Sequence, residues 1–71
     1  MKTTLRELRE QNKKTVAEVA TALNVTNMSI YRYEIGKRQI DIQQVLTLAE
    51  IYDVSEREII EAQLNSRPSD R

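Results

Sequence analysis

Apolar residues along this chain recur at spacings of three and four. Leu5 and Leu8 form one short stripe, followed by Val16, Val19, Ala20 and Leu23, then Ile30 and Tyr33. Ile42, Val45, Leu48, Ala49 and Tyr52 form a fourth, and Ile59 with Ile60 a fifth. Such spacing puts each set on one side of a helix. Polar residues mark where the helices begin. Thr4 is followed three positions later by Glu7, Thr15 by Glu18, Asp41 by Gln44 and Ser55 by Glu58, each directly ahead of an apolar stripe. In a capping box of this kind the first side chain accepts from a free backbone N–H and the second reaches back to the first residue's amide. Thr26 supplies a fifth start, because Val25 before it and Ile30 after it have the spacing of a hydrophobic staple, as Val54 and Ile59 have around Ser55. The pattern predicts helices over about residues 4–13, 15–23, 26–35, 41–52 and 55–63.

The breaks agree with these limits. Asn24 tolerates the left-handed conformation that turns the second helix sharply into the third; Gly36 can do the same after the third, and Asp53, less comfortably, after the fourth. Residues 65–71, NSRPSDR, are polar, contain the one proline and offer no apolar anchor. The expected organisation is therefore a single domain over residues 1–64 and a flexible polar tail over 65–71.

Composition narrows the class. With one glycine and one proline in 71 residues, the chain lacks the punctuation that hairpins require, so the fold is expected to be all-α. A chain of this length buries only about 60% of its unfolded surface, which permits one small core. The absence of cysteine and histidine removes disulfides, thiolate metal sites, the commonest metal ligand and the commonest general base. Paired acids such as Glu56 and Glu58 fall in a capped helix start, where they favour the dipole. Neither catalysis nor a metal or cofactor is expected. MKTTLRELRE has no apolar signal region, and no apolar run approaches the roughly 18 residues of a membrane span, so a soluble, cytoplasmic protein is expected.

The formal net charge of zero hides a division. Residues 1–39 hold eight Lys/Arg against four Glu, and residues 40–71 hold three against seven acids, giving +4 and −4. Such a split suits a protein with one face toward a polyanion. The second helix, a turn of about three residues and the third helix form a helix-turn-helix, whose second helix enters the DNA major groove. On that helix Asn27, Met28, Tyr31 and Arg32 point away from Ile30 and Tyr33. Asn can pair with adenine, Arg with guanine, and Met or Tyr can lie on a thymine methyl, so these four are the candidate base-reading residues.

The segments LREL, TVAEVATALNVTNMSIYRYEIGKR and LAEIYDVSEREI, from about Leu5 to Ile60, resemble the Cro and lambda-repressor-like helix-turn-helix family, also called the XRE family. The resemblance implies a compact five-helix domain and an ion pair between Arg9 and Glu34 that ties the first helix to the third. It also implies phosphate contacts from Lys37 and Arg38 in the loop after the third helix, supported by free N–H groups at the starts of the second and fourth helices. Thr15 and Thr26 join the phosphate-binding set. Lys13 and Lys14 stand where the family has a small residue and a hydrophobe, and serve either as phosphate contacts or as solvated charges. At the start of the second helix the family commonly has Thr-Gln, the glutamine bonding a phosphate and bracing the reading helix; here the pair is Thr15-Val16, and that polar contact is lost.

The function implied is a sequence-specific transcriptional regulator of the small phage or mobile-element Cro-like type. Its partners would be a double-stranded DNA operator and a second copy in a homodimer. The alternative is a protein-interaction module, an anti-repressor or antitoxin that binds a partner repressor or toxin through surplus apolar residues such as Ile51, Ile60 and Leu64.

Overall fold

A computed structural model describes residues 3–66 as five helices: α1 (Leu5–Gln11), α2 (Val16–Leu23), α3 (Asn27–Glu34), α4 (Ile42–Tyr52) and α5 (Glu56–Asn65). Every helix starts from an extended cap residue whose side chain accepts from the amide three positions on. The reciprocal half of the box is made at Thr4, Thr15, Asp41 and Ser55. At Thr26 the third residue is Ser29, and its hydroxyl lies 3.1 Å from that of Thr26.

Helix ends follow from the residues that stop them. Asn24 (φ 59) and Asp53 (φ 54) are left-handed, and each lets the following valine amide turn back onto the helix: Val25 onto the Ala20 carbonyl at 2.9 Å, Val54 onto Ala49 at 3.0 Å. Gly36 (φ 82) does the same work after α3, where a Cβ would be penalised. α1 ends at Gln11, two residues before its expected end. Lys13 is left-handed (φ 57), so the Lys14 amide folds back onto the Arg9 carbonyl at 3.1 Å, while Asn12 Nδ2 donates to the Leu8 carbonyl.

The core centres on Ile59, the most fully enclosed side chain, where α5 lies across α4 and α1. α2 and α3 form a second packed pair, joined to this centre through α1 and α4. Two members of the expected stripes do not enter it. Ile42 is 76% exposed and Ile60 43%, because α4 turns Val45, Leu48, Ala49 and Tyr52 inward and α5 turns Ile59 and Ala62 inward. Ile40, ahead of α4, is buried instead, its amide donating to Gln63 Oε1 at 2.6 Å.

α5 also runs further than its apolar pattern implied. Ser66 Oγ accepts from the Leu5 amide at 3.0 Å and donates to the Ala62 carbonyl at 2.7 Å, while Asn65 Nδ2 donates to the Thr3 carbonyl at 2.9 Å. Asn65 and Ser66, assigned to the tail from sequence, thus stitch the two ends of the domain together. The rest of the expected tail, 67–71, lies outside the described residues. No helix among the described residues is long and apolar enough to cross a membrane.

The neighbours Ile59 and Ile60 give a test of this register. Ile59→Ala is expected to cost about 2–5 kcal/mol, and Ile60→Ala less than about 1 kcal/mol, in urea unfolding followed by circular dichroism. Equal costs would mean that α5 is rotated from the position described.

Candidate nucleic-acid interface

α3 is held by its inner face. Ile30 and Tyr33 are buried in the core, and Ser29 is buried beside them, which its polarity hid in the sequence. The Ser29 amide donates to Thr26 Oγ1, so one small side chain both fills a tight contact and completes the cap. Two polar clamps fix the far end. Tyr33 Oη accepts from Gln44 Nε2 at 3.1 Å, and Gln44 Oε1 accepts from the Asp41 amide at 2.9 Å, so one amide side chain caps α4 and holds α3.

The second clamp is Arg9. Its Nε donates to Glu34 Oε2 at 2.6 Å, its Nη2 to Glu34 Oε1 at 3.3 Å, and its Nη1 to the Lys14 carbonyl at 3.1 Å. The side chains are only 12% and 7% exposed, so the pair is partly buried and well shielded from solvent. The hydrogen bonds to Glu34 raise the Arg9 pKa further, against the desolvation that would lower it. Tyr52 is buried nearby; desolvation, reinforced by the Glu34 charge, pushes its phenol well above the ordinary 10.0.

Asn27, Met28, Tyr31 and Arg32 all lie on the exposed side of α3, with Met28 56% and Tyr31 51% exposed. Ile35, the C-cap of α3, is exposed as well. Met28, Tyr31 and Ile35 have a spacing of three and then four, so they form one apolar stripe down the outside of the helix, and that spacing was available in the sequence. Val16 is half-buried and lines the same groove as Tyr31, Ile35, Arg6 and the Arg9–Glu34 pair. An apolar side chain thus stands where the polar brace was lost.

Cations gather at the end of α3. The Lys37 and Arg38 amides both turn back onto the Arg32 carbonyl, at 2.9 and 3.3 Å, which brings the three basic residues together. The Arg38 guanidinium sits 5.9 Å from the centre of the Tyr33 ring, within reach of cation–π attraction. Lys37 is exposed and Lys14 partly so, and Lys13 projects from the left-handed turn before α2. Thr15 Oγ1 accepts from the Glu18 amide and Thr26 Oγ1 from Ser29, so both hydroxyls are engaged as caps. The Glu18 carboxylate, bonded by the Thr15 amide, is held below its ordinary 4.5 and stays ionised at neutral pH. Asp41 caps α4 likewise. Carboxylates at the starts of α2 and α4 weaken the attraction of those helix N-termini for an anion, so the fixed positive charge nearby is that of Lys13, Lys14, Lys37 and Arg38.

The sequence profile of the helix-turn-helix family matches residues 5–59. A Thermococcus kodakarensis protein, named as a candidate HTH-type transcriptional regulatory protein, is 37% identical over 71 aligned positions that cover 90% of this chain. The match takes in 22% of that longer protein, so the chain spans about a fifth of its length. No solved structure gives a significant match.

Two outcomes test the Arg9–Glu34 pair and its buried neighbour Tyr52. Arg9→Ala is expected to destabilise the fold by about 3–5 kcal/mol, because it leaves the Glu34 carboxylate buried without its partner. Tyr52 carries the alkaline limit. Its folded-state pKa is raised, so between 10 and that higher value the unfolded chain gives up a proton that the folded chain keeps, and stability falls as pH rises above about 10. Urea midpoints measured from pH 8 to 11 should drop less steeply in Tyr52→Phe than in the parent.

Proposed function

Since the chain belongs to the helix-turn-helix family of DNA-binding transcription regulators, we propose that it is a sequence-specific, Cro-like regulator of the phage or mobile-element type that reads an operator with α3. The observation that carries this reading is the division of α3 into two faces. Ile30, Tyr33 and Glu34 are fixed by core, amide and guanidinium, and Asn27, Met28, Tyr31 and Arg32 stand free on the other side. A helix held this firmly and left bare outward is suited to the major groove.

Within this reading Asn27 and Met28, at the helix start, reach deepest. Asn27 pairs with adenine, Arg32 takes the guanine O6 and N7 acceptors, and Met28 and Tyr31 lie against thymine methyls. Lys37 and Arg38, with Lys13 and Lys14, hold phosphates and set the register without reading sequence. Thr15 and Thr26 add a hydroxyl donor each at the margin. The chain acts as a homodimer on a pseudo-palindrome whose half-sites are about 34–36 Å apart, in the cytoplasm of a bacterial or phage-infected cell.

The other reading, an anti-repressor or antitoxin that binds a partner repressor or toxin, draws on Ile60 and Leu64 of α5, which are exposed, whereas Ile51 is half-buried against the core. Those lie on elements other than α3, so the two readings separate by surface. Mobility shifts with duplexes selected from a random pool distinguish them. Arg32→Ala should lose about 1–3 kcal/mol and relax preference at one base pair, and Lys37→Ala should weaken all sequences alike and shorten the salt slope by about 1. If roughly four phosphates are neutralised, that slope is about −3.6 per subunit. Replacing thymine by deoxyuridine in the selected site removes only methyl groups, and should weaken the parent but not Met28→Ala/Tyr31→Ala. Unchanged preference in every α3 variant would refute the assignment.

A further inference from the structure

Tyr33 belongs to the core, yet one cation of the cluster at the end of α3 rests on it. The Arg38 guanidinium carbon lies over the Tyr33 ring, 5.9 Å from its centre, while Arg38 itself stays exposed. The ring cannot easily turn away, because its hydroxyl is tied to α4. Gln44 Nε2 donates to Tyr33 Oη at 3.1 Å, and Gln44 is in turn locked to Asp41 by a bond in each direction, at 2.9 and 2.8 Å. The loop that carries Arg38 is fixed as well. Gly36 is left-handed (φ 82), and the Lys37 and Arg38 amides both donate to the Arg32 carbonyl. Two residues further on Ile40 is buried, its amide bonded to Gln63 Oε1 at 2.6 Å. Arg38 is thus tethered at its backbone by hydrogen bonds and at its tip by the ring. Among the described residues no carboxylate neutralises it: the ion pairs there use Arg6, Arg9 and Arg57, and Asp41, three positions on, is engaged as the α4 cap.

We propose that Tyr33 is a positioning residue for the phosphate grip: its ring, held by Gln44, keeps the Arg38 guanidinium where it meets a phosphodiester of the DNA backbone. The proposal rests on the DNA-binding reading and gives a role to a core residue that the reading itself leaves out. A guanidinium drawn to the face of a ring keeps its N–H groups in its own plane, free for an oxyanion. An arginine loose in solvent loses rotamer freedom when it grips an anion, whereas one already restrained over a ring loses less and binds more tightly for the same contacts. Lysine at position 38 would carry the same charge, but as a compact ammonium on a flexible stem it has no plane to lay on the ring and no fork to offer the phosphate. The identity of the cation matters here as well as its sign. Lys37 is exposed beside Arg38 and lies over no ring among the described residues, so it is the less restrained of the two.

Fluorescence anisotropy of the full chain with a labelled duplex, enriched from a random pool, tests it across a range of salt concentrations. Arg38→Lys is expected to weaken binding about two- to tenfold on every sequence, with the salt slope of the parent because the charge is kept. Tyr33→Leu should weaken it to a similar degree, and Tyr33→Phe, which keeps the ring, by less than about twofold. Added to Arg38→Lys, Tyr33→Leu should cost less than about a further twofold, since the contact it serves is already lost. Arg38 is exposed, so Arg38→Lys decides the matter even where Tyr33→Leu fails to fold. Binding by Arg38→Lys equal to that of the parent overturns the proposal. So does a Tyr33→Leu effect that is undiminished in the Arg38→Lys chain, which would mean that the ring acts through the fold alone. So does Tyr33→Phe as weak as Tyr33→Leu, which would assign the effect to the hydroxyl. A parent chain that enriches no duplex overturns the DNA-binding reading and this grip with it, a result told apart from the others because no variant is involved.

Discussion

One guanidinium sets the relation among three elements. Arg9 leaves α1 and forks: two nitrogens take both oxygens of Glu34 at the end of α3, and the third takes the Lys14 carbonyl just before α2 begins. The two helices of the helix-turn-helix are thus fixed from outside by the same side chain. The pair is partly buried, so its desolvation cost is offset only while the hydrogen bonds keep their geometry. A planar fork allows few other arrangements, and lysine could not reproduce it. Position is what the interaction contributes most; net stability is secondary.

Why a small domain leans on such devices follows from its size. Among the described residues thirteen buried apolar side chains form the core, and α3 contributes only two of them, Ile30 and Tyr33. An eight-residue helix anchored by two core side chains would rock on them. Gln44 and Glu34 remove that freedom at one end, and the Thr26–Ser29 cap removes it at the other. The polar clamps spare the rest of the helix from packing duty, which is why large side chains can stand outside it.

Most of the fold was legible because its signals are local. A capping box involves four consecutive residues, so Thr4, Thr15, Asp41 and Ser55 announce their helices before any tertiary contact exists. Asn24 and Asp53 act as left-handed stops for the same reason. What failed to show was tertiary. Spacing puts Ile42 and Ile60 near a helical stripe, but only the placement of α4 against α5 decides that nothing covers them. Ser66 looks like a tail residue until the Leu5 amide, 61 positions away, is found beside it. Lys13 carries no sign of its positive φ, since lysine has no preference for that conformation and is held there by the bonds of Asn12 and Lys14. At the interface the outward direction of Asn27, Met28, Tyr31 and Arg32 was legible from the wheel. The role of Gln44 was only half legible, because its cap is local and its hold on Tyr33 is not.

The departure at Val16 and the apolar stripe on α3 have a common physical logic. A glutamine at the start of α2 would offer an amide to a phosphate and to a polar neighbour on the reading helix. Valine can do neither, yet it lines a groove with Tyr31 and Ile35, side chains that a polar neighbour would leave poorly matched. Exchanging a polar brace for an apolar one also alters how a base would be recognised. Hydrogen-bonded readout penalises a wrong base by leaving a buried polar group unpaired, whereas contact with a methyl forfeits only the transfer energy of that methyl. On the DNA-binding reading proposed above, a helix that presents Met28 and Tyr31 beside a single arginine would discriminate more gently at each position, and would draw more of its affinity from Arg32, Lys37 and Arg38 and more of its specificity from two half-sites read at once.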